Sequence, residues 1–256
     1  MSCARKLLVV LLLAPVLALA AESVRLDRAP IDPHDLTSLQ RGAKIYVNYC
    51  LGCHSAGYMR YNQLEALALT PQQIRDNLIF TGAKVGDLMK NSMDPNDAKE
   101  WFGAVPPDLT VIARSRASPD GSGADWLYTY LRSFYRDPSR PTGWNNVVYP
   151  DVGMPHVLWQ IQGEQELRTE VVVISRGNDE EDVEKREVQK LVLARPGMMS
   201  PLEYDLLVRD LVNFLAYMAE PGKRTRIEIG IFVLLFLVIF FALAYALKKE
   251  YWKDVH

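Results

Sequence analysis

The hydrophobic and polar positions of the 256-residue chain fall into three regimes. Residues 7–19 form an apolar run near the N-terminus, and residues 229–247 form a second, charge-free run of 19 residues near the C-terminus. At about 1.5 Å per residue the second run spans roughly the hydrocarbon core of a bilayer and predicts one transmembrane helix. Between the two runs apolar residues recur at helical spacing, interrupted by clusters of Pro, Gly and Ser. The spacing predicts a helix over 36–54. Thr70-Pro71-Gln72-Gln73 supplies a cap, a Pro at the first helical position and a capping-box Gln, which opens a helix running to Phe80. A loop is expected over 101–109, a short helical segment at 113–117, turns over 118–123 and an aromatic-rich helix over 125–135. Residues 137–155 hold four Pro and two Gly and predict an irregular loop folded over something.

The period changes to two, with β-branched residues, over 167–175 and 187–194, which predicts a hairpin. The strongly charged, mostly acidic stretch 178–186 between them reads as a solvated tip. Ser200-Pro201-Leu202-Glu203 is a capping box, and the amphipathic helix after it runs to about Glu220. Pro221 and Gly222 then lead into the membrane segment. The fold class is mainly α, with long loops and a small β-hairpin, plus one C-terminal transmembrane helix.

The first apolar run follows Arg5 and Lys6 and ends in Ala18-Leu19-Ala20, the form of a secretory signal cut after Ala20 or Ala21. The chain therefore divides into a signal (1–20), an exported domain (21–222), a transmembrane anchor (223–248) and a short tail (249–256). Lys223, Arg224 and Arg226 precede the anchor and Lys248, Lys249 and Lys253 follow it, so basic flanks alone do not orient it. The export signal does, placing the domain outside the inner membrane in the periplasm and the tail, with His256, in the cytoplasm. Tyr251 and Trp252 suit the lipid interface.

The whole chain has a formal net charge of −2, but residues 21–222 carry 21 Lys+Arg against 28 Asp+Glu, a net −7. An acidic exported domain argues against nucleic acid as a partner and favours steering of a basic protein.

Cys50-Leu51-Gly52-Cys53-His54 carries the chemistry. C-x-x-C-H is the attachment signature of c-type haem: each thiol adds across one vinyl group, and the imidazole takes an axial position on the iron. On a helix the three side chains project from one face. A zinc half-site would need further Cys or His, and Cys3 leaves with the signal. A redox dithiol would need a βαβ setting. There is no internal repeat and no second C-x-x-C-H, so one covalent haem c is expected.

The second axial ligand separates electron transfer from ligand binding or peroxide activation. Met154, in Asp151-Val152-Gly153-Met154-Pro155, is the first candidate. Gly153 is expected to remove a side chain where the backbone passes close to the ring, and Pro155 to stiffen the approach. His156 is the nearest rival, and Met198-Met199 come next. Pro106-Pro107-Asp108-Leu109 reads as a rigid loop against the haem face, and Arg114 and Arg116 follow within reach of a propionate. Trp101, Trp126, Tyr130 and Trp144 are candidate pocket walls. A tethered haem enzyme or gas sensor, with an open sixth position, and a cytochrome feeding a terminal oxidase remain alternatives to a six-coordinate electron carrier of another complex.

Taken together, the C-x-x-C-H motif, its long separation from Gly153-Met154-Pro155, the Pro106-Pro107-Asp108-Leu109 stretch leading to Arg114 and Arg116, and Ala219-Glu220-Pro221 before a tail anchor resemble the cytochrome c1 family of the quinol–cytochrome c oxidoreductase (bc1) complex. The resemblance implies a c-type cytochrome fold enlarged by long loops. It implies thioethers at Cys50 and Cys53, axial ligation by His54 and Met154, a propionate contact at Arg116 and packing of Pro107 on the ring. It also implies one electron at a time from a Rieske iron–sulfur protein to a cytochrome c acceptor, a tail helix beside cytochrome b in membrane lipid, and a dimeric complex. The hairpin is longer than that resemblance leads one to expect.

Overall fold

The computed structural model describes residues 24–175 and 183–253. The signal at 1–20, part of the acidic tip and His256 lie outside the described residues.

The domain that precedes the C-terminal helix is built on α1 (Leu36–Tyr49) crossing α7 (Pro201–Ala219). Asp35 caps α1 by accepting from the Ser38 amide at 2.9 Å, and Leu39, Ala43, Tyr46 and Val47 bury one helical face. Ser200 and Glu203 close the expected capping box on α7, whose Val208, Leu211, Val212 and Leu215 face the core. The two helices meet at Gly42, where a Cβ would lie 2.0 Å from the Asp210 carbonyl oxygen and 2.6 Å from the Phe214 Cβ. Only glycine permits that approach.

The carboxylate of Asp210 locks the crossing. It accepts from Ser38 Oγ at 2.7 Å, from the Arg41 guanidinium across the interface and from Arg209 at 2.8 Å. Asn213 adds a bond to the Asp32 carbonyl at 2.7 Å. Burial alone would push the Asp210 carboxyl up, but the bonds from Arg41, Ser38 and Arg209 hold it below the usual carboxylate range.

Between these helices run β1 (Ala56–Arg60), a 3-10 segment (Tyr61–Leu67), α2 (Pro71–Leu78), β2 (Leu88–Met89), α3 (Pro95–Phe102), α4 (Ile112–Ser115) and α5 (Gly123–Arg132). After α5 come β3 (Phe134–Arg136), β4 (Trp144–Asn146), α6 (Trp159–Gln162), β5 (Gly163–Ser175) and β6 (Val183–Pro196). The strands pair as three separate antiparallel couples, β1–β2, β3–β4 and β5–β6. Arg132 ties α5 to α7 through Asp205 at 2.6 Å, and Tyr204 Oη donates to the Leu131 carbonyl at 2.8 Å.

The structure adjusts several expected boundaries. Helix α1 ends at Tyr49, not at His54, because the amides of both Cys50 and Leu51 bond to the Tyr46 carbonyl and Gly52 follows. The predicted loop at 101–109 begins inside α3, a helix capped by Asp94 with Pro95 at its first position. Helix α5 starts earlier than 125, at a capping box formed by Ser122 and Asp125, and stops at Arg132. The hairpin is longer than 167–175 and 187–194, pairing from Gly163↔Pro196 to Ser175↔Val183. It is a ribbon rather than a small hairpin.

Helix α8 (Lys223–Tyr251) is 29 residues long, about 43 Å. Its apolar side chains are exposed along its length, and it is long and apolar enough to cross a membrane.

Asp210→Asn is expected to destabilise the exported domain by about 2 kcal/mol. That lies below the range for a fully buried pair, because Arg41 is half exposed. The depressed carboxyl contributes stability that is fully present above the unfolded-state aspartate pKa and is lost as pH falls through the lower folded value. Thermal melts from pH 7 down to pH 3 should therefore show wild type and variant converging only at the acid end.

Candidate functional site

The C-x-x-C-H stretch forms a tight turn off the end of α1. The Cys53 and His54 amides both bond back to the Cys50 carbonyl, at 3.0 and 2.8 Å, so the turn keeps the three side chains together without extending the helix. All three line one apolar cavity of about 410 Å³, within the size range of small-molecule and cofactor sites.

His54 is fixed from behind. Its Nδ1 lies 2.8 Å from the Pro107 carbonyl oxygen, which can only accept, so Nδ1 carries the proton and Nε2 keeps its lone pair. Burial lowers the His54 pKa, against smaller opposing effects of the Pro107 bond and Asp108. The ring is thus neutral and suited to ligation, with an outer partner that sets its orientation.

The Pro106–Leu109 stretch that presents this carbonyl is itself pinned. Asp108 accepts from the amides of Gly57 at 2.6 Å and Thr110 at 2.8 Å, and the Leu109 amide bonds to the Ser55 carbonyl at 2.9 Å.

Burial, with Cys53 close by, pushes Cys50 up to about 12, and burial raises Cys53 as well. Redox-active C-x-x-C pairs show the opposite shift. Among the described residues no group of three or more His, Cys, Asp or Glu is placed to hold a metal ion.

The opposite wall comes from the loop before α6 and from α5. Met154 lines the cavity, and its Sδ accepts from Tyr130 Oη at 3.4 Å. The loop is irregular but closely held. Asn145 Oδ1 accepts from the Asp151 amide at 2.9 Å, Arg140 bonds the Asp151 carboxylate and carbonyl, and Asn146 Oδ1 accepts from the amides of Val148 and Tyr149. Asp151 sits at φ 61° in the left-handed region, a strained conformation held by these bonds. Gly153 meets a packing constraint as well. A Cβ there would lie 2.6 Å from the Phe102 carbonyl oxygen, so the end of α3 excludes a side chain at a position that also lines the cavity.

The rival ligands face elsewhere. His156 does not line the cavity. Its ring stacks on Phe134 at 4.8 Å and meets the edge of Trp144 at 5.1 Å, and burial pushes its pKa down to about 4. Its Nε2 has no hydrogen-bond partner among the described residues. Met198 is 82% exposed, and neither it nor Met199 lines the cavity.

The two arginines separate. Arg116 lines the cavity with its guanidinium 4.5 Å from the Trp126 ring centroid and 5.5 Å from that of Tyr149. None of the ion pairs among the described residues involves it, so its donors are free for an acid. Arg114 is exposed and outside the lining, because the single turn of α4 turns it away. Pro107, Trp126 and Tyr130 line the cavity, whereas Trp101 and Trp144 do not.

Sequence reasoning did not single out Leu211 and Leu215 of α7 as lining residues, although their amphipathic face was visible. The Arg140–Asp151 clamp left no local signal.

The donor set fits a haem. Two thiols and a neutral imidazole lie in a largely apolar cavity whose lining also holds a thioether and an unpaired guanidinium, the last suited to a propionate.

Comparison with known proteins agrees. The chain matches the Cytochrome C1 family over residues 27–173 and 200–255, and the stretch between the two matches holds β6. It is 51% identical over 248 residues to cytochrome c1 of Allochromatium vinosum, covering 96% of each chain. It is 49% identical over 251 residues to a Nitrosomonas europaea protein named ammonia monooxygenase gamma subunit, covering 98% of this chain and 97% of that one. A more distant relative, cytochrome c1 of Rhodospirillum rubrum, is 25% identical over 87% of this chain and 83% of its own length. With a family match over most of its length and a bacterial cytochrome c1 at half identity, the chain belongs to the cytochrome c1 family, the electron-transfer haem proteins of the bc1 complex, and its cofactor is a covalently attached haem c.

Proposed function

We propose that this chain carries one electron at a time from a Rieske iron–sulfur protein to a cytochrome c, through a haem ligated by His54 and Met154. The observation that supports this most is that one apolar cavity gathers Cys50, Cys53, a His54 fixed by Pro107, and Met154, while His156 and Met198 face away.

Haem c supplies a one-electron iron couple. The chain's residues decide where it sits and what potential it has. Cys50 and Cys53 hold it by thioethers at one edge. His54 offers Nε2 on one side and Met154 a thioether on the other, a pairing that favours the reduced state over two imidazoles. Arg116 offers paired donors to a propionate. Apolar side chains from α5 and α7 exclude water, which limits the solvent rearrangement each charge change demands. With Met154 as the second ligand, the haem would lack the open sixth position that a haem enzyme or gas sensor needs. As a subunit of the bc1 oxidoreductase, the chain is then a carrier with no substrate turnover of its own.

In this reading the exported domain stands in the periplasm, α8 lies in lipid beside cytochrome b, the tail is cytoplasmic, and the complex is a dimer. The net charge of −7 over 21–222 steers a basic cytochrome c toward the domain.

Met154→Leu is expected to abolish the sulfur-to-iron charge-transfer band of the oxidised complex, admit carbon monoxide to the reduced form, lower the potential and stall cytochrome c reduction. Unimpaired quinol oxidation by this variant would rule Met154 out as a ligand. The initial rate of reduction of a basic cytochrome c should fall several-fold as ionic strength rises from about 10 to 150 mM, where the Debye length shortens from about 30 to 8 Å. A rate indifferent to salt would remove steering from the account.

A further inference from the structure

Tyr130 stands at the cavity with its hydroxyl 3.4 Å from Met154 Sδ, its one hydrogen-bond partner through that oxygen among the described residues. The ring cannot swing away. It stacks on Trp126 at 4.7 Å with 13° between planes, and its other side meets the edge of Phe134 at 5.0 Å. Only 8% of the residue is exposed. Its backbone is fixed too, since the Tyr130 carbonyl accepts from Asn146 Nδ2 at 2.8 Å, and Asn146 organises the turn leading to Met154. One asparagine thus sets the register between the phenol and the sulfur.

A thioether sulfur has two lone pairs and is a weak acceptor in water. In a buried, apolar setting the same bond is electrostatically stronger. We propose that Tyr130 is a positioning residue for the axial thioether: its hydroxyl engages one lone pair of Met154 Sδ, leaves the other for iron, and tilts the equilibrium toward the reduced state. The tilt follows from the dipole. The hydrogen's positive end lies at the sulfur, so it draws density from the ligand and stabilises the added electron. The inference rests on Met154 being a ligand.

The test uses the purified complex carrying Tyr130→Phe, with equilibrium redox titration of its c-type haem and the near-infrared charge-transfer band as readouts. The Phe variant should keep the band but displace it, and should shift the one-electron reduction equilibrium about threefold to tenfold toward the oxidised form, a tenfold change being about 59 mV. Tyr130→Leu should shift the potential similarly and also lower the melting temperature, because it loses the stacked ring. A Phe variant matching wild type in both band and potential would show that the ring only packs, and would overturn the proposal. A wild-type complex that lacks the band and binds carbon monoxide would overturn the Met154 assignment and this inference with it, a result distinct from the former. If the Phe variant fails to accumulate, transfer of the wild-type complex to heavy water gives the same decision. A deuteron on a sulfur-bound hydroxyl moves the band, and an unmoved band rejects the bond.

Discussion

How closely α1 can approach α7 governs the site. At Gly42 the backbones of the two helices come so near that any side chain would strike the Asp210 carbonyl. The same Asp210 uses its carboxylate to collect Ser38, Arg41 and Arg209, so one residue supplies both the close contact and the lock. Helix α1 delivers the cysteine turn at its end, and α7 supplies Leu211 and Leu215 to the cavity lining. The depth of the cavity follows from their crossing. Wider separation would admit water, and a closer approach has no room to occur.

The second wall solves a different problem. Met154 is presented to the cavity by a stretch with little regular structure, yet its position is closely set. Here side chains replace secondary structure as the source of order. Asn145 and Asn146 act as local templates for the backbone, and Arg140 grips a residue held in the left-handed region. Irregular and rigid are compatible when each buried amide has a partner.

Much of this was legible beforehand because it is local. The C-x-x-C-H motif, the caps at Thr70 and Ser200, and the final helix are written in neighbouring residues. The Pro/Gly loop was also a readable pointer to Met154, which lines the cavity where His156 does not. What the sequence did not disclose depends on distant contacts. The end of α1 at Tyr49, the neighbour that forbids a side chain at Gly153, and the separation of Arg114 from Arg116 are all decided by packing between remote segments. Asp94-Pro95 is a local cap signal for α3, of the same kind as Thr70-Pro71 for α2. The extra length of the β5–β6 ribbon has another cause: its base is built from Glu164, Gln165 and Glu166, which carry little strand signal, and the pairing there passes through a register shift between Glu164 and Gln165.

The join between α7 and α8 has one more consequence. Only Glu220, Pro221 and Gly222 separate the two helices, and Arg226 of α8 pairs with Glu220. A leash of three residues reaches on the order of 10 Å. The domain is therefore held close to the start of α8 rather than trailing from it. A domain tied this short has little travel of its own, so whatever meets its cavity has to come to it.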